Sequence, residues 1–143
     1  MQKTVVFVKP DGVQRGYAGK IMAHIEGLGL KLRALKMLHL TKAEAQQFYA
    51  VHRERHFFES LTNYISSGPI VAALFEGEEA ISKVRQAMGA TDPAEAAPGT
   101  IRKLYAQNKE RNAIHGSDSP ESASTEIPFF FSALEITDYQ REN

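Results

Sequence analysis

"TVVFVKPDG", residues 4–12, begins with β-branched and aromatic side chains at every position from Thr4 to Val8 and then meets a Lys-Pro-Asp-Gly turn signal. Such a run reads as a buried strand, and it delivers Lys9 to the strand's C-terminal mouth.

Working outward, Ile21, Ile25 and Leu28 recur at helical spacing, with Gly27 and Gly29 as a stop, which predicts a helix over 18–28. The segment from Leu30 to Leu40 is ambiguous, because its apolar alternation slips phase at Ala34-Leu35. It is assigned as a strand because Thr41-Lys42-Ala43-Glu44 follows as a capping box that starts a helix near 42. Leu61, Tyr64 and Ile65 mark a short helix stopped by Ser67-Gly68-Pro69, and Ile70 to Phe75 is a short apolar strand closed by Glu76-Gly77. Ile81, Val84 and Met88 mark another helix. "GATDPAEAAPGT", residues 89–100, has no period and reads as a long loop, after which Arg102 stands at the start of a helix.

Ser119 is a good N-cap with Pro120 at the first helical position, and that helix is expected to end before Pro128, with Phe129-Phe130-Phe131 beginning a last strand. The order β, α, β, α, α, β, α, loop, α, β predicts a mixed sheet covered by helices, an α/β sandwich formed as a single domain over residues 1–143.

With 143 residues and 43% hydrophobic composition, a substantial core is available. Seventeen basic side chains balance seventeen acidic ones, so no long-range basic field invites nucleic acid or acidic lipid, and an anion site must be a local cluster. There is no cysteine, hence neither a disulfide framework nor a thiolate metal site, and the cytoplasm is the default compartment. The apolar run at 4–8 is too short for a signal peptide, and no stretch approaches a membrane span.

Chemistry concentrates in "RNAIHGSDSPES", residues 111–122. His115 has no metal-ligating neighbours in sequence; His52 and His56 are four apart, but the intervening Arg53-Glu54-Arg55 misplaces the glutamate for a zinc-protease helix. A nucleophilic histidine needs one ring nitrogen fixed and the other free, with anion donors nearby. Ser117, Asp118, the helix start at 119 and Glu126 are candidates for the first requirement, and Lys9, Arg85 and Arg102 for the second. Each of those cations taken alone reads as a solvated surface charge; Arg85, beside the stripe Ile81, Val84, Met88, is expected on the side that packs. Phe57-Phe58 offers an aromatic face for a base, although paired phenylalanines more often fill a core, and Tyr49 shares that ambiguity.

"NAIHGSDS" at 112–119 and "KPDGVQRG" at 9–16 together resemble the nucleoside diphosphate kinase family, and the likeness continues through "FYAVHRERHFF", "SSGPIVAALFEGEEAI", "VRQAMGATDP" and "PGTIR". The resemblance implies a ferredoxin-like core and a mainly antiparallel sheet. It implies ping-pong transfer of the γ-phosphate of ATP or another nucleoside triphosphate to a diphosphate through phosphorylated His115, with tolerance of base and sugar. By the same resemblance, Glu126 and Ser117 orient His115, while Lys9, Tyr49, Arg85, Thr91, Arg102 and Asn112 surround phosphates and sugar. Phe57 stacks on the base, and Mg2+ arrives on the phosphates without a protein cage. A tetramer or hexamer is implied, with residues 89–100 similar to the segment packed between subunits in hexamers. His56 departs from the family's usual proline, and the short tail "TDYQREN" leaves tetramer and hexamer both open.

Two other classes remain at this point. A ferredoxin-like fold also serves RNA recognition, but no RNP-type aromatic run is present. A metal-dependent phosphohydrolase using His115 with Asp118 would make water the acceptor.

Overall fold

The structure, a computed structural model, describes residues 1–142. Four strands, β1 (Gln2–Val8), β2 (Lys31–Leu38), β3 (Ile70–Gly77) and β4 (Ile114–Gly116), form one sheet in the order β2-β3-β1-β4. All three pairings are antiparallel, so the mixed sheet expected from element order is antiparallel throughout the described residues. Helices α1 (Pro10–Gln14), α2 (Ala18–Glu26), α3 (Lys42–Phe48), α4 (Phe58–Ile65), α5 (Ala80–Met88), α6 (Ile101–Tyr105) and α7 (Pro120–Phe130) complete a ferredoxin-like α+β sandwich. None of the described helices is long and apolar enough to cross a membrane.

β1 is apolar at successive positions because it serves two cores. Val6 and Val8 point into one with Ile21, Ile25, Val84 and Ile114; Val5 and Phe7 point into the other with Ala45, Tyr64, Ile65 and Phe130. Side chains of a strand alternate between faces, so a strand covered on both sides cannot alternate in polarity. The phase slip in β2 also has a structural cause. Its register against β3 shifts between Leu32 and Ala34, a bulge that sets these two residues against opposite cores and leaves Leu35 exposed.

The capping box is present as expected: Glu44 N–H donates to Thr41 Oγ1 at 3.1 Å, and Thr41 N–H donates to Glu44 Oε1 at 2.8 Å. Other expectations are corrected. Pro10-Asp11-Gly12 does not form a simple turn but opens α1, with Pro10 inside the first helical turn, where its missing N–H costs nothing. α7 does not stop before Pro128 but runs through it to Phe130, and residues 129–131 form no strand. Pro128 and Ser124, whose carbonyl would have accepted its N–H, are both exposed, so the lost hydrogen bond lies on the solvent side. The fourth strand is instead Ile114–Gly116, with His115 at its centre.

The chain enters β4 through a strained residue. Ala113 has φ 75°, is fully buried, and is spanned by a bond from Ile114 N–H to Asn112 C=O at 2.9 Å, a γ-turn. Lys9 N–H holds the Ala113 carbonyl at 2.9 Å. A β-branched residue is poorly accommodated at such a φ. Ala113→Val is therefore expected to lower unfolding stability by about 2 kcal/mol or more, with Ala113→Gly within about 1 kcal/mol of the parent. Denaturant titration checks this; equal tolerance of valine would contradict the strain.

Candidate active site

His115 owes its direction to the two-residue period of β4. Ile114 packs into the core beneath α2 and α5, so His115 faces the opposite side, toward α3, α4 and α7. Register places it directly across from Phe7, and the two rings stack at 4.8 Å with 17° between their planes. Phe48 meets the imidazole edge-on at 5.2 Å. Gly116 completes the strand because any larger residue would collide with α5: a Cβ there would lie 2.6 Å from Met88 Sδ.

Glu126 reaches His115 from the second turn of α7, with Oε2 3.0 Å from Nε2. Its other oxygen accepts from the Ser117 hydroxyl at 2.6 Å, and that hydroxyl accepts from Val5 N–H at 2.9 Å. The imidazole is thus tied through a carboxylate and a serine to the central strand. α7 itself is positioned by Ser119, whose Oγ accepts from Ser122 N–H at 3.0 Å. Asp118 is occupied locally: it accepts from Ser122 Oγ at 2.6 Å, the leading cause of its lowered pKa.

Burial is the main force pushing the His115 pKa below its ordinary value, helped by the charges of Lys9 and Arg102 and opposed by the Glu126 hydrogen bond and charge. The neutral ring is favoured. With Nε2 engaged by an acceptor, the network assigns the proton to Nε2 and leaves the Nδ1 lone pair free.

His115 borders a cleft of about 500 Å³ that is also lined by Lys9, Tyr49, Phe57, Thr91, Arg102 and Asn112. A shallower groove of about 770 Å³ beside Met1–Lys3 and α7 contains none of these groups. Of the residues singled out in the sequence, Arg85, Ser117 and Glu126 do not line the cleft. Ser117 and Glu126 stand behind the imidazole. Arg85 is not on the packed side as its stripe suggested; it is exposed, and its guanidinium reaches back to donate to Gly116 C=O at 3.2 Å. His56, Leu61, Lys109 and Glu110 also line the cleft. In the sequence Leu61 signals only helix periodicity and His56 only the His52/His56 pair and the departure from proline, while Lys109 and Glu110 carry no signal except their place just before Asn112.

The polar wall is organised by the loops flanking β4. Lys9 is 6% exposed and its Nζ donates to Asn112 Oδ1 at 2.7 Å; Asn112 Nδ2 in turn donates to Lys109 C=O at 2.9 Å. Arg102 donates to Ile114 C=O at 2.9 Å and to Gly89 C=O at 3.1 Å, while its buried Nε has no partner among the described residues. Burial, then the charge of Arg85, brings Arg102 down to about 10, so it is charged at neutral pH. Burial likewise pushes the Tyr49 hydroxyl up, keeping it a proton donor. A buried guanidinium, a buried ammonium and an imidazole held neutral by burial thus share one cleft, an arrangement chemically suited to an anion. Among the described residues no group of three or more His, Asp or Glu is placed to hold a metal ion.

Known proteins with this geometry point the same way. A model of the family described as nucleoside diphosphate kinase matches residues 2–136. The nucleoside diphosphate kinase of Persephonella marina is 59% identical over 138 residues, covering 96% of this chain and 99% of that protein. The enzyme of Nitratidesulfovibrio vulgaris is 58% identical over 136 residues, 95% and 98% of the two chains. Among solved structures, the Aquifex aeolicus nucleoside diphosphate kinase superposes with a TM-score of 0.94 at 50% identity, covering 95% of this chain and 99% of that one. A Halobacterium salinarum enzyme in complex with CDP gives 0.94 at 43%, covering 99% and 94%. The pinned, neutral histidine among buried cations is what a phosphoryl carrier requires, and with the family matched across nearly the whole sequence, the chain belongs to the nucleoside diphosphate kinases, phosphotransferases that work by ping-pong through a phosphohistidine.

Proposed function

We propose that His115 is the phosphorylated residue and that Nδ1 is the attacking atom. The observation that carries this reading is the Nε2 contact with Glu126, which leaves one nitrogen free on the wall of a cationic cleft. Nδ1 forms a bond to the γ-phosphorus as the bond to the β,γ-bridging oxygen breaks, and the diphosphate leaves. A terminal oxygen of a second diphosphate then takes the phosphoryl group from nitrogen, returning the neutral ring. Lys9 and Arg102, both on the cleft wall, neutralise phosphate charge. Arg85, beside Gly116, and Thr91 at the rim complete the phosphate contacts, while Tyr49 donates from its protonated hydroxyl. Glu126, steadied by Ser117, holds the ring and stabilises the charge it gains on phosphorylation.

Phe57 and Leu61 give the outer part of the cleft an apolar slot, which suits a base held by its faces. Lys9 and Asn112 are bonded to each other and can turn to ribose hydroxyls, so purines and pyrimidines, ribose and deoxyribose are all accepted substrates. Mg2+ fits as an ion carried in on the phosphates, because the cleft offers cations and amides rather than a cluster of carboxylates. When bound it would supply further neutralisation of phosphate charge beside Lys9 and Arg102. Copies of the chain assemble as a tetramer or hexamer; edge strand β2 exposes Leu35 and Met37, at 52% and 63%. A reducing compartment such as the cytoplasm suits the chain.

Incubation with γ-labelled ATP and magnesium, followed by removal of nucleotide, is expected to leave acid-labile label on the protein that added GDP discharges, with none on His115→Asn. Label lost only to water, or retained by the variant, contradicts the assignment. Glu126→Ala is expected to lower kcat by about 10- to 100-fold with little change in KM. Unchanged kcat with a raised KM would remove Glu126 from that role. Because burial lowers the His115 pKa, the acid limb of kcat/KM should fall below pH 6.5, the ordinary value. Glu126→Gln removes the charge that opposes this shift, so its limb moves to still lower pH; a limb moving upward would contradict the pairing.

A further inference from the structure

The turn that leads into β4 brings Lys109 and Glu110 to the cleft, and the phosphoryl-transfer scheme uses neither. Residues 107–111 close on themselves. Gln107 N–H donates to Arg111 C=O at 2.8 Å, and Asn108 Oδ1 accepts from the N–H groups of Glu110 at 3.0 Å and Arg111 at 2.8 Å. An asparagine side chain that bonds backbone in this way fixes a turn. The turn is also fastened to its neighbours: Lys109 C=O accepts from Asn112 Nδ2 at 2.9 Å, and the Arg111 guanidinium carbon lies 5.2 Å from the centroid of the Tyr64 ring on α4. Lys109 is exposed, whereas Glu110 is half-buried and its Oε1 accepts from Ser60 Oγ at 3.1 Å. Ser60 is three residues beyond Phe57 and directly before Leu61, so the carboxylate is docked one helical turn along α4 from the ring that lines the apolar slot.

Taking the slot of Phe57 and Leu61 as the base site, we propose that Glu110 is a specificity-determining residue: its carboxylate, docked on Ser60 at the edge of the slot, accepts hydrogen bonds from the Watson–Crick edge of guanine and favours guanine over adenine nucleotides.

A stacked base is held by its faces, which all bases share, so discrimination falls to the groups at its edge. A carboxylate can only accept, and the Ser60 bond occupies one of its lone-pair sites, which leaves capacity for two more donors. Guanine offers two side by side, N1–H and the 2-amino group. Adenine pairs its 6-amino group with a bare N1, and cytosine its 4-amino group with a bare N3, so each sets a lone pair against the carboxylate. Uracil and thymine offer one N3–H between two carbonyls. Because Glu110 is half open to water, the preference is modest and every base remains a substrate. The closed turn contributes by holding the acceptor in place before the base arrives, so little ordering is needed on binding.

The test is the second-order rate at which GDP, IDP and ADP discharge label from the phosphorylated protein, measured for the parent, E110Q, E110A and F57A. The parent is expected to react with GDP about 5-fold faster than with ADP, and with IDP, which keeps N1–H but lacks the 2-amino group, at a rate between them. E110Q keeps an acceptor for Ser60 but sets an amide donor toward the base. Both Glu110 variants should lower the GDP rate about 5-fold more than the ADP rate, closing the gap. F57A should slow all three diphosphates alike. If F57A slows none of them, the slot is not the base site, and the nucleotide reading fails together with the proposal. If F57A behaves as expected but the Glu110 variants leave the ratio of GDP to ADP unchanged, or slow all three equally, Glu110 only fastens the turn to α4 and the proposal alone is overturned.

Discussion

The contact between Glu126 and His115 Nε2 is the constraint on which the site depends. An imidazole can attack through either nitrogen, and one fixed acceptor chooses between them. The choice is relayed from Val5 through Ser117 to Glu126, so the central strand of the sheet sets the tautomer of a ring on its neighbour. Phe7 and Phe48 fix the ring plane, and Glu126 fixes its rotation.

Everything else in the cleft follows from how short β4 is. Three residues present one side chain to the cleft, and the segments on either side are free to bring in charge. The γ-turn at Ala113 swings Asn112 beneath Lys9, and the Ile114 carbonyl holds Arg102. Cations gathered at this density repel one another. Burial and then the charge of Arg102 bring Lys9 down to about 8, and burial and then the charge of Arg85 bring Arg102 down to about 10, so an anion entering the cleft would relieve that repulsion.

Much of this was legible in the sequence, for identifiable reasons. The apolar run of β1, the capping box at Thr41 and the stripe of α5 are local patterns, and each formed where its pattern placed it. The strand that carries His115 was not legible, because three residues are too few to show a period. The Phe129–Phe131 run then took its place in the reading, since nothing local says that Pro128 would fall on the solvent side of a continuing helix. Within the site, His115, Lys9, Arg102 and Asn112 could be found from motifs. The stacking of Phe7 on His115 and the docking of Glu110 on Ser60 depend on strand register and helix packing between residues far apart in the chain. Arg85 was misread because a position beside an apolar stripe can fall on either side of the packed boundary, and here it lies in solvent with its guanidinium reaching back to Gly116 C=O.

The most direct measurement is nitrogen–phosphorus correlation NMR on the phosphorylated protein labelled with 15N-histidine. Coupling of phosphorus to Nδ1 of His115 is the result that follows from a ring held at Nε2 by Glu126. Phosphorus on Nε2 would mean that the Glu126 contact breaks before transfer, and the account of how this fold selects its nucleophile would be wrong.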